Sequence, residues 1–284
     1  MDSAGEENVT AAQQEARQAA LRAAQAYDDY LVPSMFRPWA RVLLDRAALR
    51  PVERVLDLAC GSGVVAREAA GRVGVHGQVA ALDLNPAMLA VARTHAAAPG
   101  APDIAWTQGS AQAMPFPGAS FDVVLCQQGF QFFPDRALAA AEMHRVLVPG
   151  GRALLLVSQA IRRNPLYDHL NRAMLARTGI PAYAAPFALG EAGQLEALLR
   201  GANFRQIRVQ EAQLEAYFPS PERFVKSSVQ GAAAALPHWA ALSETERAAL
   251  ADGIQGDVAD WISAHTRGGQ LHDTMLVYIA SAIR

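Results

Sequence analysis

From Arg54 onward the chain alternates short apolar runs with stretches of helical periodicity. The runs are RVLDLA, QVAALDL, DIAWTQG, FDVVLCQ and RALLLVS, each closed by turn residues; PAMLAVARTHA and DRALAAAEMHRVL lie among them. Short apolar runs in this rhythm read as strands buried on both faces, and strands alternating with helices predict parallel βαβ units. Upstream, Ala11 to Tyr30 consists of good helix formers; LVPSMFRPW interrupts with Pro33 and Pro38 before ARVLLDRAAL resumes the pattern. PGG at Pro149 to Gly151 is expected to end a helix and turn into the fifth strand. Beyond Ser158 the rhythm loosens: LGEAGQLEALLRGANF reads as a helix, RQIRVQEAQLEAYF as an alternating strand and LHDTMLVYIASAI as a final strand. Helical stretches over about 162–188 and 220–265 lie between them. The expected fold is α/β, a doubly wound Rossmann-like and mostly parallel sheet. Residues 46–284 would form the main domain, with those stretches as elaborations and residues 1–45 as an N-terminal helical segment.

Composition narrows the function classes. Of 284 residues 51% are hydrophobic and 18% charged, enough for a large core. The net charge of −2, with acids and bases interspersed, leaves no basic face for nucleic acid. Lys226 is the one lysine, which excludes a P-loop lysine and argues against Schiff-base chemistry. Two cysteines, Cys60 and Cys126, make no disulfide framework or metal cluster, and no His/Cys/Asp spacing suggests a metal site. The N-terminus lacks a signal peptide's apolar core, and no apolar run approaches the roughly 20 residues of a membrane span. A soluble, cytoplasmic protein is expected; monomer and homodimer both stay open.

The candidate chemistry begins at VLDLACGSGVVAREAA, Val55 to Ala70, a strand, a glycine-rich turn and a helix start. Gly61 and Gly63 permit a tight turn and a close backbone approach to a ligand. The second strand ends in Asp83, twenty residues after Gly63, the spacing at which a carboxylate accepts from ribose hydroxyls. Gly61-Ser62-Gly63-Val64-Val65-Ala66 fits the dinucleotide fingerprint, so a nicotinamide cofactor is one reading. A pyrophosphate site, however, has no need of Asp57 inside the strand. A ligand carrying an ammonium and a sulfonium does, and S-adenosylmethionine is the other reading.

Four motifs in order then carry a resemblance. LDLACGSG, ALDLNPAML, GSAQAMPFPGASFDVVLCQQGFQFFPD and EMHRVLVPGGR resemble the class I S-adenosylmethionine-dependent methyltransferases, in the branch that includes the menaquinone/ubiquinone biosynthesis C-methyltransferases. The likeness runs from about Arg54 to Ser158 and more loosely to the C-terminus. It implies a seven-stranded sheet, S-adenosyl-L-methionine as cofactor and a small-molecule methyl acceptor. It implies that Asp57 serves the amino end of the cofactor, Ala59 and Gly61 its methionine portion, and Asp83 the ribose. Leu84 and Met88 would pack on the adenine, Ser110 and Ala111 would meet its edge, and Gln127 would lie near the methionine end. Two positions depart from the pattern. Ala59 stands where glycine is frequent, and Ser110 where aspartate is, which weakens the bond available to the adenine amino group.

Methyl transfer from a sulfonium needs orientation and exclusion of water, and a base only where the accepting atom must lose a proton. No catalytic residue is assigned. Tyr27, Tyr30, Gln128, Phe132 and Tyr167 are candidates to line the acceptor side, Tyr27 and Tyr30 because the family folds an N-terminal helix across the cofactor. Gln131 and Phe36 are weighed beside them. His144, His169, His238, His265 and His272 read as packing or surface histidines. The function implied is methyl transfer to O, N or C of a small, partly apolar metabolite. The alternatives are an NAD(P)-dependent oxidoreductase and a cofactor-binding protein of this fold without transferase activity.

Overall fold

The computed structural model describes residues 11–233 and 242–284. Helix α1 (Ala11–Leu31) passes through a π-helical turn, Val32–Phe36, into α2 (Arg37–Ala47). Then follow β1 (Arg54–Leu58), α3 (Val64–Val73), β2 (Gln78–Asp83), α4 (Pro86–Ala92), β3 (Ile104–Gln108), β4 (Phe121–Gln127), α5 (Arg136–Val146) and β5 (Leu147–Ser158). The remainder is α6 (Pro165–Thr178), α7 (Ala192–Gly201), β6 (Arg205–Phe218), α8 (Pro221–Ala233), α9 (Glu244–Asp257), α10 (Ala259–Ala264), β7 (Thr266–Arg267) and β8 (Gln270–Ile283).

The strands lie in the order β3-β2-β1-β4-β5-β8-β6, with the two-residue β7 paired on β8 beside this path. β1 to β5 run parallel, and β8 enters antiparallel between β5 and β6. The order reverses between β1 and β4, so the crevice at their carboxyl ends is where a ligand binds in an open α/β sheet. Alternation along the strands supplies a core on each face. Val55, Val123, Leu125 and Leu156 pack with Trp39, Leu43, Val64, Leu166 and Phe224 on one side. Leu56, Leu58, Val124 and Leu155 pack with Met143, Leu195 and Leu199 on the other.

The opposite, amino ends of the strands are pinned by ion pairs. Arg54 gives its backbone N–H and its guanidinium to Asp122, tying the start of β1 to β4. Arg152 on β5 pairs with both oxygens of Glu53 at 2.8 Å and donates to the Ala47 carbonyl, fixing the end of α2.

Two local expectations are refined. LVPSMFRPW does not break the N-terminal helix; it widens it. Pro33 and Pro38 lack the N–H that an α-helical ladder needs, and the chain continues through a bond from the Arg37 N–H to the Val32 carbonyl, five residues back. The Pro149–Gly151 turn falls inside β5, because the strand already pairs at Leu147 opposite Phe121 and slips register before Arg152 meets Val123. Gly150, at φ +79°, takes up the irregularity.

At position 63 backbone conformation and packing both require glycine. Gly63 has φ +84°, and a Cβ there would lie 2.3 Å from Cη2 of Trp106 on β3. Gly179, after α6, has a similar left-handed conformation, φ +73° and ψ 5°, with open space around it. We expect Gly179→Ala to cost about 1 kcal/mol of backbone strain and Gly63→Ala about 2–4 kcal/mol, since overpacking adds to the strain. Urea unfolding of the two variants checks this; equal costs would contradict the packing account.

Candidate functional site

Why the chain turns where it does explains the site. It leaves β1 at Ala59 with φ +55°, turns again at Gly61 (φ +55°) and Gly63, and enters α3 at Val64. Gln128, directly after β4, is also left-handed at φ +53°. Non-glycine residues in this region are strained and gather at functional sites. The two loops cross closely: a Cβ on Gly129 would meet the Ala59 Cβ at 2.5 Å, so alanine at 59 requires glycine at 129.

Two carboxylates brace the first loop. Asp83, at the end of β2, accepts the Gly61 N–H at 2.7 Å on Oδ2 and the Asn85 N–H at 2.8 Å on Oδ1. Burial raises its pKa, partly offset by these N–H bonds. Asp57 is 1% exposed, and its Oδ2 accepts the Ala66 N–H at 2.9 Å. Burial, with the Asp83 charge acting the same way, pushes Asp57 up to about 8 despite that bond and the nearby Arg67. An opposite charge arriving beside it would restore the carboxylate.

These groups open into a cavity of about 380 Å³ at the carboxyl ends of β1, β2 and β4. It brings together Asp57, Ala59, Gly61, Asp83, Leu84, Met88, Ser110, Ala111 and Gln127, and beside them Tyr27, Gln128 and Phe132. Leu84 (70% exposed) and Phe132 (52% exposed) present apolar side chains to solvent there, surface that a ligand would cover. Ser110 Oγ accepts the Gln112 N–H at 3.1 Å, shaping its own loop. Tyr27, on α1, packs against Phe36 with ring centroids 4.9 Å apart, and its hydroxyl lies 4.0 Å from where a Gly61 Cβ would stand. Burial and then the charges of Asp83, Asp28 and Asp57 keep that phenol protonated. Helix α1 is itself tied down by Asp28, whose Oδ2 meets Nε2 of His95 at 2.7 Å.

Two expected positions lie elsewhere. Tyr30 is in the core, not in the cavity wall: its ring packs toward Phe218 beneath the Arg223 guanidinium, and its hydroxyl donates to the Ser220 carbonyl. Tyr167 packs with Tyr183, Phe187 and Phe224, its hydroxyl on Met35 Sδ at 3.4 Å. Both join α6 and α8 to the N-terminal segment, because a helix in this position presents its large apolar residues to the neighbouring core. His144 packs against Phe204 and His169 against Trp261. His265 stacks on Trp261, and His272, inside β8, meets Tyr217. His238 lies outside the described residues. Gln131 is buried behind Gln128, to which it donates at 2.6 Å. Cys60, Asn85, Gly109, Gln112, Phe133 and Pro134 also line the cavity; their adjacency to the motifs is the only signal in the sequence. Among the described residues no cluster of His, Cys, Asp and Glu could hold a metal ion, and no helix is long and apolar enough to cross a membrane.

Residues 55–151 match the model of a methyltransferase domain. A nocamycin O-methyltransferase of Saccharothrix syringae is 31% identical over 263 residues, which are 88% of this chain and 92% of that protein. The chain belongs to the S-adenosylmethionine-dependent methyltransferases. A ubiquinone/menaquinone biosynthesis C-methyltransferase of Teredinibacter turnerae is 36% identical over 158 residues, 54% of this chain and 64% of that protein. The fold also matches a Haemonchus contortus phosphoethanolamine N-methyltransferase, solved with phosphomonomethylethanolamine and S-adenosylhomocysteine, at TM-score 0.55 and 19% identity, over 92% of this chain and 57% of that one. The methyltransferase takes S-adenosyl-L-methionine as its cofactor, and the dinucleotide reading of the glycine turn is set aside.

The raised pKa of Asp57 makes the stability of this methyltransferase pH-dependent. The folded state holds the proton above pH 3.8, where the unfolded chain releases it, so the Asp57 contribution to unfolding free energy falls as pH rises from about 4 to about 8. Asp57→Asn should flatten that slope, making the variant's relative stability greatest near pH 8. Urea titrations at several pH values check this; the same slope in both proteins would place the proton elsewhere.

Proposed function

We propose that this enzyme transfers a methyl group from S-adenosylmethionine, held in the β1/β2/β4 cavity, to an oxygen of a small, partly apolar metabolite. The observation that carries the reading is the convergence of Asp57 and Asp83 on one left-handed loop, Ala59 to Gly63, that opens into the cavity. The residues fit the cofactor by their own chemistry. Asp57 is a buried carboxyl whose Oδ2 accepts the Ala66 N–H, with capacity left on the group for the ammonium. The Gly61 Cβ position meets nothing closer than 4.0 Å, so the missing side chain leaves room for the methionine portion beside Ala59. Asp83 retains lone pairs for the ribose hydroxyls beyond the two N–H bonds it already accepts. Leu84 and Met88 supply apolar surface for the adenine, with Ser110 and Ala111 at its edge and Gln127 toward the sulfur.

The cofactor, when bound, supplies an electrophilic methyl on a sulfonium. The chain's part is positioning and the exclusion of water. Tyr27, Phe36, Gln128 and Phe132 line the same cavity and would border the acceptor. The titratable side chains in the wall are Tyr27, Asp57, Cys60 and Asp83, and burial opposes ionisation of Tyr27 and Cys60. Among the described residues the wall thus supplies no dedicated base for an acceptor of high pKa, which favours an acceptor that loses its proton readily. Residues 11–45 would cover the site and 162–188, 220–233 and 242–265 would cap it; residues 1–10 and 234–241 of those stretches lie outside the described residues. Oxygen is preferred over nitrogen or carbon because the Saccharothrix syringae relative, matched along nearly its whole length, is an O-methyltransferase.

Two measurements test the cofactor assignment. Asp83→Ala should weaken S-adenosylhomocysteine binding by more than tenfold, since a hydrogen bond to a charged group contributes about 1.5–3 kcal/mol and the Gly61 brace is lost with it. Calorimetry showing unchanged affinity in a folded variant would remove the ribose assignment. In buffers of different ionisation enthalpy, binding near pH 7 should release a proton from Asp57, because the arriving ammonium lowers a pKa that stands at about 8. Binding with no proton release, or the same release from Asp57→Asn, would contradict the ammonium assignment.

A further inference from the structure

Helix α1 is seated by its last two turns. Residues 13–23 are exposed, and its buried positions begin at Ala24, which packs against Ala87 and Val91 of α4. Asp28, one turn further along the same face, is 7% exposed. Its Oδ2 accepts from His95 Nε2 at 2.7 Å, and its Oδ1 stands 3.9 Å from Nη2 of Arg67 on α3. A carboxylate only accepts, so Nε2 carries the hydrogen of the first contact. Tyr27, beside Asp28 in sequence, is turned about 100° around the helix and lines the cavity.

Arg67 extends this junction to the glycine turn. It lies one helical turn after Gly63, its Nη1 donates to the Ser62 carbonyl, and the same atom would be 3.3 Å from a Cβ at Gly63. His95, Asp28, Arg67 and the Ser62 carbonyl thus tie three segments together: the chain after α4, helix α1, and the turn between β1 and α3. Tyr27 stands over that same turn, its hydroxyl 4.0 Å from the position of a Gly61 Cβ. A buried ion pair is a weak source of stability, and apolar residues of similar size often hold helices together as well or better. What the carboxylate adds is direction, because His95 meets one oxygen while Arg67 faces the other. The small contact of Ala24 would let α1 rotate on α4; Asp28 fixes its rotation and its height over the turn.

We propose that Asp28 is a positioning residue that, held between His95 and Arg67, sets where the Tyr27 ring stands against the bound cofactor. This rests on the proposed function for the place of the cofactor in the β1/β2/β4 cavity. It goes beyond it in naming residues behind the wall that shape the wall. Asp28, His95 and Arg67 do not line the cavity; they act on it through Tyr27 and through the Ser62 carbonyl.

The test is calorimetry of S-adenosylhomocysteine with the full chain and its variants. Asp83→Ala and Tyr27→Ala come first. Affinity unchanged in Asp83→Ala would overturn the cavity reading and this inference together; affinity lowered there but unchanged in Tyr27→Ala would overturn this inference alone. Asp28→Asn, which keeps the shape and one acceptor, should weaken binding by about tenfold, the scale of one hydrogen bond to a charged group. Added to Tyr27→Ala, it should weaken binding by no more than about twofold further, because a residue that acts through the ring then has nothing to act on. His95→Leu should weaken binding by about fivefold, and His95→Gln, whose amide N–H can reach the same carboxylate oxygen, by no more than about twofold. Native affinity in Asp28→Asn, losses that multiply in the double variant, or equal affinities of His95→Leu and His95→Gln would each overturn the inference and leave the cavity reading standing, since a contact that only packs gives those results. The His95 side chain is 33% exposed and outside the core, so the comparison of its two variants decides the matter even where Asp28→Asn fails to fold.

Discussion

The hydrogen bond from the Gly61 N–H to Asp83 Oδ2 holds together the loops leaving β1 and β2. Three residues in left-handed conformations, Ala59, Gly61 and Gly63, must stay in place for the loop to present its backbone to the cavity. Such a turn costs strain, and a partly buried carboxylate with two N–H donors is a rigid brace against its relaxation. Asp57 fixes the other side through the Ala66 N–H, so the turn is clamped between two carboxyl groups that differ in their remaining capacity. The same groups are thereby structural in the loop itself and, in the proposed function, recognition groups for the cofactor.

What the sequence displayed most openly were elements whose physics is local. Apolar runs bounded by turn residues marked β1 to β5, and alternation marked β6, because strand burial follows residue pattern directly. Asp57 and Asp83 were conspicuous for a related reason: a carboxylate at the end of an apolar strand is costly unless it has a task. The antiparallel entry of β8 between β5 and β6 and the two-residue β7 were less visible, since pairing partners depend on contacts distant in sequence.

The aromatic candidates divided on the same principle. Tyr27 and Tyr30 both belong to α1, three residues apart, yet Tyr27 faces the cavity and Tyr30 faces Phe218 and Ser220. Which face of α1 lines the cavity depends on how the helix docks, through Asp28 on His95 and Ala24 on Ala87 and Val91, and no periodicity in α1 alone encodes that. Tyr167 similarly lay on a helix whose partners, Met35 and Phe224, are remote in the chain. The prolines in LVPSMFRPW signalled an irregularity correctly in place, but their consequence was a wide helical turn that carries Phe36 over the end of β4. That turn links the N-terminal segment to the cavity wall, so a helical detail becomes part of the binding surface.

The most direct measurement of the central claim is a crystal structure with S-adenosylhomocysteine bound. The account predicts both ribose hydroxyls within hydrogen-bond distance of Asp83, the amino group beside Asp57, the adenine against Leu84 and Met88, and the thioether sulfur turned toward Gln127 and Tyr27. A ligand bound outside this cavity, or one lying in it with its ribose away from Asp83, would contradict it.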